Sequence, residues 1–179
     1  MKTNNATTFQ SRCRLAATYV ERYLANPGSI WIAIGKTTAW VDENNPPLPS
    51  LTANRVPELH GLVYVHTCKS VYTNPEGNLI TPSGNFTAVN STNPDVLASA
   101  KANKVFFEGH LKPGLLTGSY RVQALCTDVV FNTDLPTLLP GVFMPASSVS
   151  YYFLDWISLR TPIASDATST QVIQLIREL

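Results

Sequence analysis

Between Ser29 and Pro49 the sequence reads SIWIAIGKTTAWVDENNPPLP, an order of residues that few folds accommodate. Ile30-Trp31-Ile32-Ala33-Ile34 is a short apolar run rich in β-branched and aromatic types, bounded by Gly28 and Gly35. Such a run predicts a strand covered on both faces. After Trp40 the chain turns polar. Pro46, Pro47 and Pro49 then fix φ and remove backbone donors, so this segment is expected to cross the surface as a stiff, extended arm rather than join a sheet interior.

Gly35-Lys36-Thr37 has the look of the end of a phosphate-binding loop. That motif needs a glycine where this chain has Ile30, inside the predicted strand, and Gly28 is two residues too early. The simpler reading is a strand ending in a glycine turn.

A chain of 179 residues that is 44% hydrophobic can bury a sizeable core, and 1–179 reads as a single compact domain. Charged residues make up 14% and the net charge is +1, which gives no electrostatic case for nucleic acid or an anionic membrane. The apolar runs are too short to span a bilayer, and Met1 to Asn5 lacks the apolar core of a signal peptide. Cys13, Cys68 and Cys126 are odd in number, widely spaced and free of Cys-x-x-Cys pairing, so buried free thiols in a reducing compartment are expected. The sequons at Asn85 and Asn90 carry little weight without a secretion signal.

Along the chain, Phe9, Cys13, Ala16, Val20 and Tyr23 recur at helical spacing, which predicts an amphipathic helix over 6–26 capped by Thr7 or Thr8 and stopped at Asn26-Pro27-Gly28. The proline-rich arm covers 42–58. His60 to Tyr72 reads as a second strand, with turn clusters at 74–78 and 82–85 and hairpins or loop up to Asn93. His60 and His66 are too far apart on a strand to share a metal without a ligand from elsewhere. Asn93 and Pro94 open a short helix reaching Ala102. Val105 to Phe107 predicts a strand and His110 to Gly114 a turn. Tyr120 to Phe131 predicts a long strand. The loop from Leu135 to Gly141 is apolar enough to be either a core lid or a docking surface. Ser150 to Leu159, with Tyr151, Tyr152, Phe153 and Trp156, is expected as an aromatic core segment, Arg160 to Asp166 as a turn, and Gln171 to Leu179 as a closing strand. The fold class is therefore α+β and mainly β, with antiparallel sheets or a β-sandwich, an N-terminal helix and long proline-rich loops.

Two separated regions resemble one family. Gly35-Lys36-Thr37-Thr38-Ala39-Trp40, Asp42-Glu43-Asn44 and Pro46-Pro47-Leu48-Pro49 follow a helix and a strand. Tyr120-Arg121 opens a later strand, followed by Tyr152 to Ile163 with Arg160 and Pro162, then Asp166 and the closing Ile173-Gln-Leu-Ile. This order is similar to that of the baseplate wedge proteins of contractile-tailed bacteriophages related to gene product eight of the T-even phages. Leu159 and the stretch from Ala167 to Thr170 depart from the family's usual residues, and the middle, 51–119, is variable.

The resemblance implies a structural subunit of the tail baseplate in the virion, assembled in the host cytoplasm. Its partners would be other baseplate and tail proteins and a second copy of itself, with no nucleic acid, membrane, cofactor or metal. The family-motif and interface residues it points to are Gly35, Trp40, Asp42, Glu43, Pro46, Pro47, Pro49, Arg160 and Pro162. Trp40 could anchor an interface or the core.

An enzyme is not expected. No nucleophile and base, acid pair or metal cluster of specific spacing is present, and adjacent Asp42 and Glu43 point to opposite sides of an extended chain. The alternative is a β-sandwich recognition module of a phage tail that binds a host receptor or glycan through Tyr151, Tyr152 and Trp156.

Overall fold

The computed structural model describes residues 8–50, 52–165 and 168–179. Thr7, Leu51, Asp166 and Ala167 lie outside them. The protein is mainly β and antiparallel, with one long helix near its start. Its elements are α1 (Phe9–Ala25), β1 (Ile30–Gly35), β2 (Leu59–Thr73), β3 (Leu79–Thr81), β4 (Gly84–Val89), α2 (Pro94–Ser99), β5 (Lys104–Leu111), β6 (Gly118–Phe131), β7 (Phe143–Pro145), β8 (Val149–Ser165) and β9 (Gln171–Glu178). They fall into two compact units: residues 1–26, 67–108 and 174–179 form one, and residues 27–66 and 109–173 the other. Three of the four boundaries between units fall within β2, β5 and β9, and the fourth lies between Asn26 and Pro27.

In the first unit, Thr8 caps α1 by accepting the Ser11 N–H at 3.2 Å, and Cys13, Ala16, Ala17 and Val20 form its buried stripe. Phe9, expected on that stripe, is exposed. The spacing identifies a face, while the small residues decide how closely the helix can approach. Asn93 caps α2 through the Asp95 N–H, as its sequence requires, and α2 packs on α1. β3 and β4 form a hairpin, and β4 pairs with β2 from Ser70↔Val89 to Thr73↔Phe86. This brings Val71, Phe86 and Phe106 into a small core closed by Leu79, Ala88 and Ile176.

In the second unit β1 is buried at every residue, because β2 flanks it on one side (Trp31↔Tyr64) and β6 on the other (Trp31↔Cys126). Trp31 and Ala33 face a core with Leu62, Tyr64, Val122, Ala124, Cys126 and Met144. The Trp31 ring meets Tyr64 and Phe131 edge-on, at 5.7 and 5.1 Å between centroids, and its indole N–H donates to the Gly28 carbonyl at 2.8 Å. β7 pairs with β2 opposite Gly61, where a Cβ would stand 2.2 Å from the Phe143 ring, so only glycine fits. β8 pairs with β6 and ends the strand order.

Three expectations change. His110 and Leu111 belong to β5 rather than to a turn. Arg160 to Ser165 continue β8, because its ladder with β6 shifts register between Tyr120↔Ile163 and Val122↔Leu159. Pro162 falls in that irregularity, where no ladder donor is demanded of it. The aromatic run of β8 is core on one face only: Tyr152, Leu154, Ile157 and Leu159 pack against the core around Trp31, while Tyr151 and Phe153 are exposed.

Candidate functional site

The motif that follows β1 is fastened to its own unit at three points. Gly35 ends β1 where a register shift brings it opposite Leu59, and a Cβ there would meet the Pro57 carbonyl at 2.6 Å. Lys36 then takes φ 54°, and Glu58, just before β2, takes φ 45°. Two non-glycine residues in the left-handed region mark a local geometry enforced by its surroundings. The enforcement is visible. The Lys36 N–H donates to the Pro57 carbonyl at 2.9 Å, and its ammonium lies 2.6 Å from Glu58 Oε1 and 5.3 Å from the centre of the Trp40 ring. Thr38 completes the cluster, with its N–H 3.1 Å from Glu58 Oε2 and its hydroxyl 2.6 Å from Oε1. Hydrogen bonds from Lys36 and then Thr38 hold the Glu58 carboxyl down at about 2.

The second fastening is Trp40. Its half-buried ring packs on the core around Trp31, and its indole N–H donates to the Arg160 carbonyl of β8 at 2.9 Å. The third is Glu43. Both of its oxygens accept from Arg121 Nε at 2.9 Å, and Nη2 reaches Oε1 at 2.7 Å. Arg121 is 7% exposed on β6, and its Nη1 also donates to the Thr37 carbonyl at 2.9 Å. A buried guanidinium needs such a partner, and its hydrogen bond holds Glu43 below the usual carboxylate range. Asp42 acts locally: its Oδ1 accepts the Asn44 N–H at 3.0 Å and shapes the turn into the arm.

Beyond this turn, Pro46 is half-buried while Pro47, Leu48 and Pro49 are exposed. Leu48 is 91% exposed, and Val41, just before Asp42, is also fully open. Arg160 contributes its carbonyl to Trp40 and its Nε to Ser158 Oγ at 3.2 Å, while Pro162 is exposed on the irregular part of β8. Gly35, Trp40, Glu43 and Arg160 are thus drawn into the fold, and Asp42, Pro47, Pro49 and Pro162 remain at the surface. Glu58 was not among the residues read from the sequence. Its partners are some 20 residues away in the chain, and nothing in the neighbouring Pro57 signals them.

Chemically the cluster is a set of fastenings between the motif and the strands around it. Both carboxylates are engaged by cations and held ionised, whereas a carboxyl serving as general acid needs its pKa raised. Among the described residues no helix is long and apolar enough to cross a membrane. The sequence pattern of the family described as baseplate wedge 3 tail fiber network component matches residues 6–179. The chain belongs to that family. A search of curated proteins finds no match. Membership makes the chain a phage baseplate component of structural kind, and the match runs through the middle segment as well as the two ends where the motifs lie.

Proposed function

We propose that the chain is a wedge subunit of a contractile-tail baseplate, working in virion assembly through contacts with other baseplate and tail proteins and with a second copy of itself. The proline arm is its docking element. The observation that carries this is the contrast within one motif: Lys36, Thr38, Trp40 and Glu43 are locked into the fold, while Val41 and Leu48 stand fully exposed on the segment they hold. Apolar side chains on a segment anchored at its base and stiffened by Pro46, Pro47 and Pro49 lose little entropy on docking. The exposed members of the motif, Pro47 and Pro49 with Leu48, would meet the partner, and the buried ones set the arm's direction. Location in the virion tail, after assembly in the host cytoplasm, follows from the same reading.

The test is incorporation. In tail particles isolated from infected cells, the chain should be recovered at fixed stoichiometry with sheath and tube proteins. A Val41→Asp, Leu48→Asp variant should fold with an unchanged melting temperature yet be lost from those particles. Recovery of the chain alone, or bound to host receptor or glycan, would overturn the wedge reading in favour of a recognition module.

A further inference from the structure

Away from the motif, the residues leading into β2 and the start of β8 enclose an open groove of about 770 Å³, with Arg55 and Asn54 on one wall and Tyr151, Tyr152 and Phe153 on the other. That volume is in the range of real ligand sites. Alternation along β8 sets Tyr151 and Phe153 on the same side, and they are 56% and 53% exposed. Tyr152 is turned inward, where its hydroxyl accepts the Val56 N–H at 2.8 Å and so ties the two walls together. Arg55 is exposed and has no ion-pair partner among the described residues, and no other residue lining the groove is charged. Among the described residues β6 is the only strand paired with β8.

We propose that this groove receives an extended peptide segment of another tail protein, laid along the start of β8, with an acidic side chain on Arg55 and an apolar one between Tyr151 and Phe153. Three features select this occupant. A lone cation among uncharged walls complements a carboxylate. Exposed aromatics beside an arginine are the residue types that dominate interface energetics. A border strand offers main-chain pairing that a peptide can use and a sugar cannot. The five residues from Ser150 to Leu154 extend about 13 to 17 Å, which matches a segment of about five residues.

The inference rests on the reading that the chain works by contacts within the tail, and its test is kept separate from incorporation. Synthetic peptides tiling the other tail proteins of the virion would be titrated against the purified full chain, beside their Asp/Glu→Lys counterparts and acidic oligosaccharides. Binding of an acidic peptide is expected, weakened roughly tenfold or more by Arg55→Glu and by Tyr151→Ala with Phe153→Ala, and restored to Arg55→Glu by the Lys counterpart. The substituted side chains are exposed, so the variants should keep the parent melting temperature. No binding by any peptide, binding indifferent to these substitutions, or binding of the oligosaccharides alone would each overturn the proposal. In those cases a chain still incorporated into tails would leave the wedge reading standing.

Discussion

Glu58 shows how much one side chain can organise. It sits at φ 45° and closes the gap between β1 and β2 by accepting from the Lys36 ammonium, the Thr38 hydroxyl and the Thr38 N–H. Its carboxyl is held at about 2 against an ordinary 4.5, so the folded state prefers the ionised form more than the unfolded state does. The stabilisation is therefore complete above about pH 4.5 and drains away as the pH falls towards about 2. Glu58→Gln keeps the shape and removes the charge. Its urea midpoint should lie below that of the parent at neutral pH, and the two should converge through that acid window. Curves that stay parallel down to about pH 2 would mean that the carboxylate contributes nothing through its charge. Because the group is exposed, salt should narrow the gap.

At the scale of elements, β8 separates what the sequence reveals from what it conceals. β1 was legible because five consecutive apolar residues have one outcome, a strand covered on both faces. The caps Thr8 and Asn93 were legible because capping is local chemistry. β8 misled because aromatic content reports hydrophobicity and not which face a residue takes: Tyr152 packs against the core, while Tyr151 and Phe153 on the other face stay exposed. Its extension through Pro162 was hidden for a related reason: the register shift against β6 that admits proline depends on a partner far away in the chain. The candidate site divides the same way. The motif from Gly35 to Glu43 was readable as a unit, whereas Glu58 as the acceptor for Lys36 and Thr38 was not.

Two adjacent tyrosines turn this into a measurement. Tyr152→Phe removes the acceptor of the Val56 N–H, leaving a buried donor unpaired, and should cost about 1 to 3 kcal/mol in urea unfolding. Tyr151→Phe, on the exposed side of the same strand, should stay within about 0.5 kcal/mol of the parent. Equal effects would show that the two faces of β8 are not distinguished in solution.

For the whole molecule the question is whether the two units behave as one cooperative structure. The expectation of a single domain becomes a proposal about thermodynamics, argued from chain path: β2, β5 and β9 each begin in one unit and end in the other, so neither can lose its strands without unravelling those of its neighbour. The sequence supplies separate reporters. Trp31, Trp40 and Trp156 all belong to the unit of residues 27–66 and 109–173, while α1 and α2 belong to the other. Tryptophan fluorescence and helical circular dichroism therefore follow different units in one sample. Leu175 of β9 is buried in the helix-bearing unit, next in sequence to Ile176, which packs on the core of Val71, Phe86 and Phe106. Leu175→Ala should cost about 2 to 5 kcal/mol, or roughly 4 to 20 °C in melting temperature for a chain of this size. If the chain is one cooperative structure, that loss appears equally in both signals, although no tryptophan lies in the substituted unit. If only the helical signal shifts, the two units are independent domains and the shared strands transmit no stability between them.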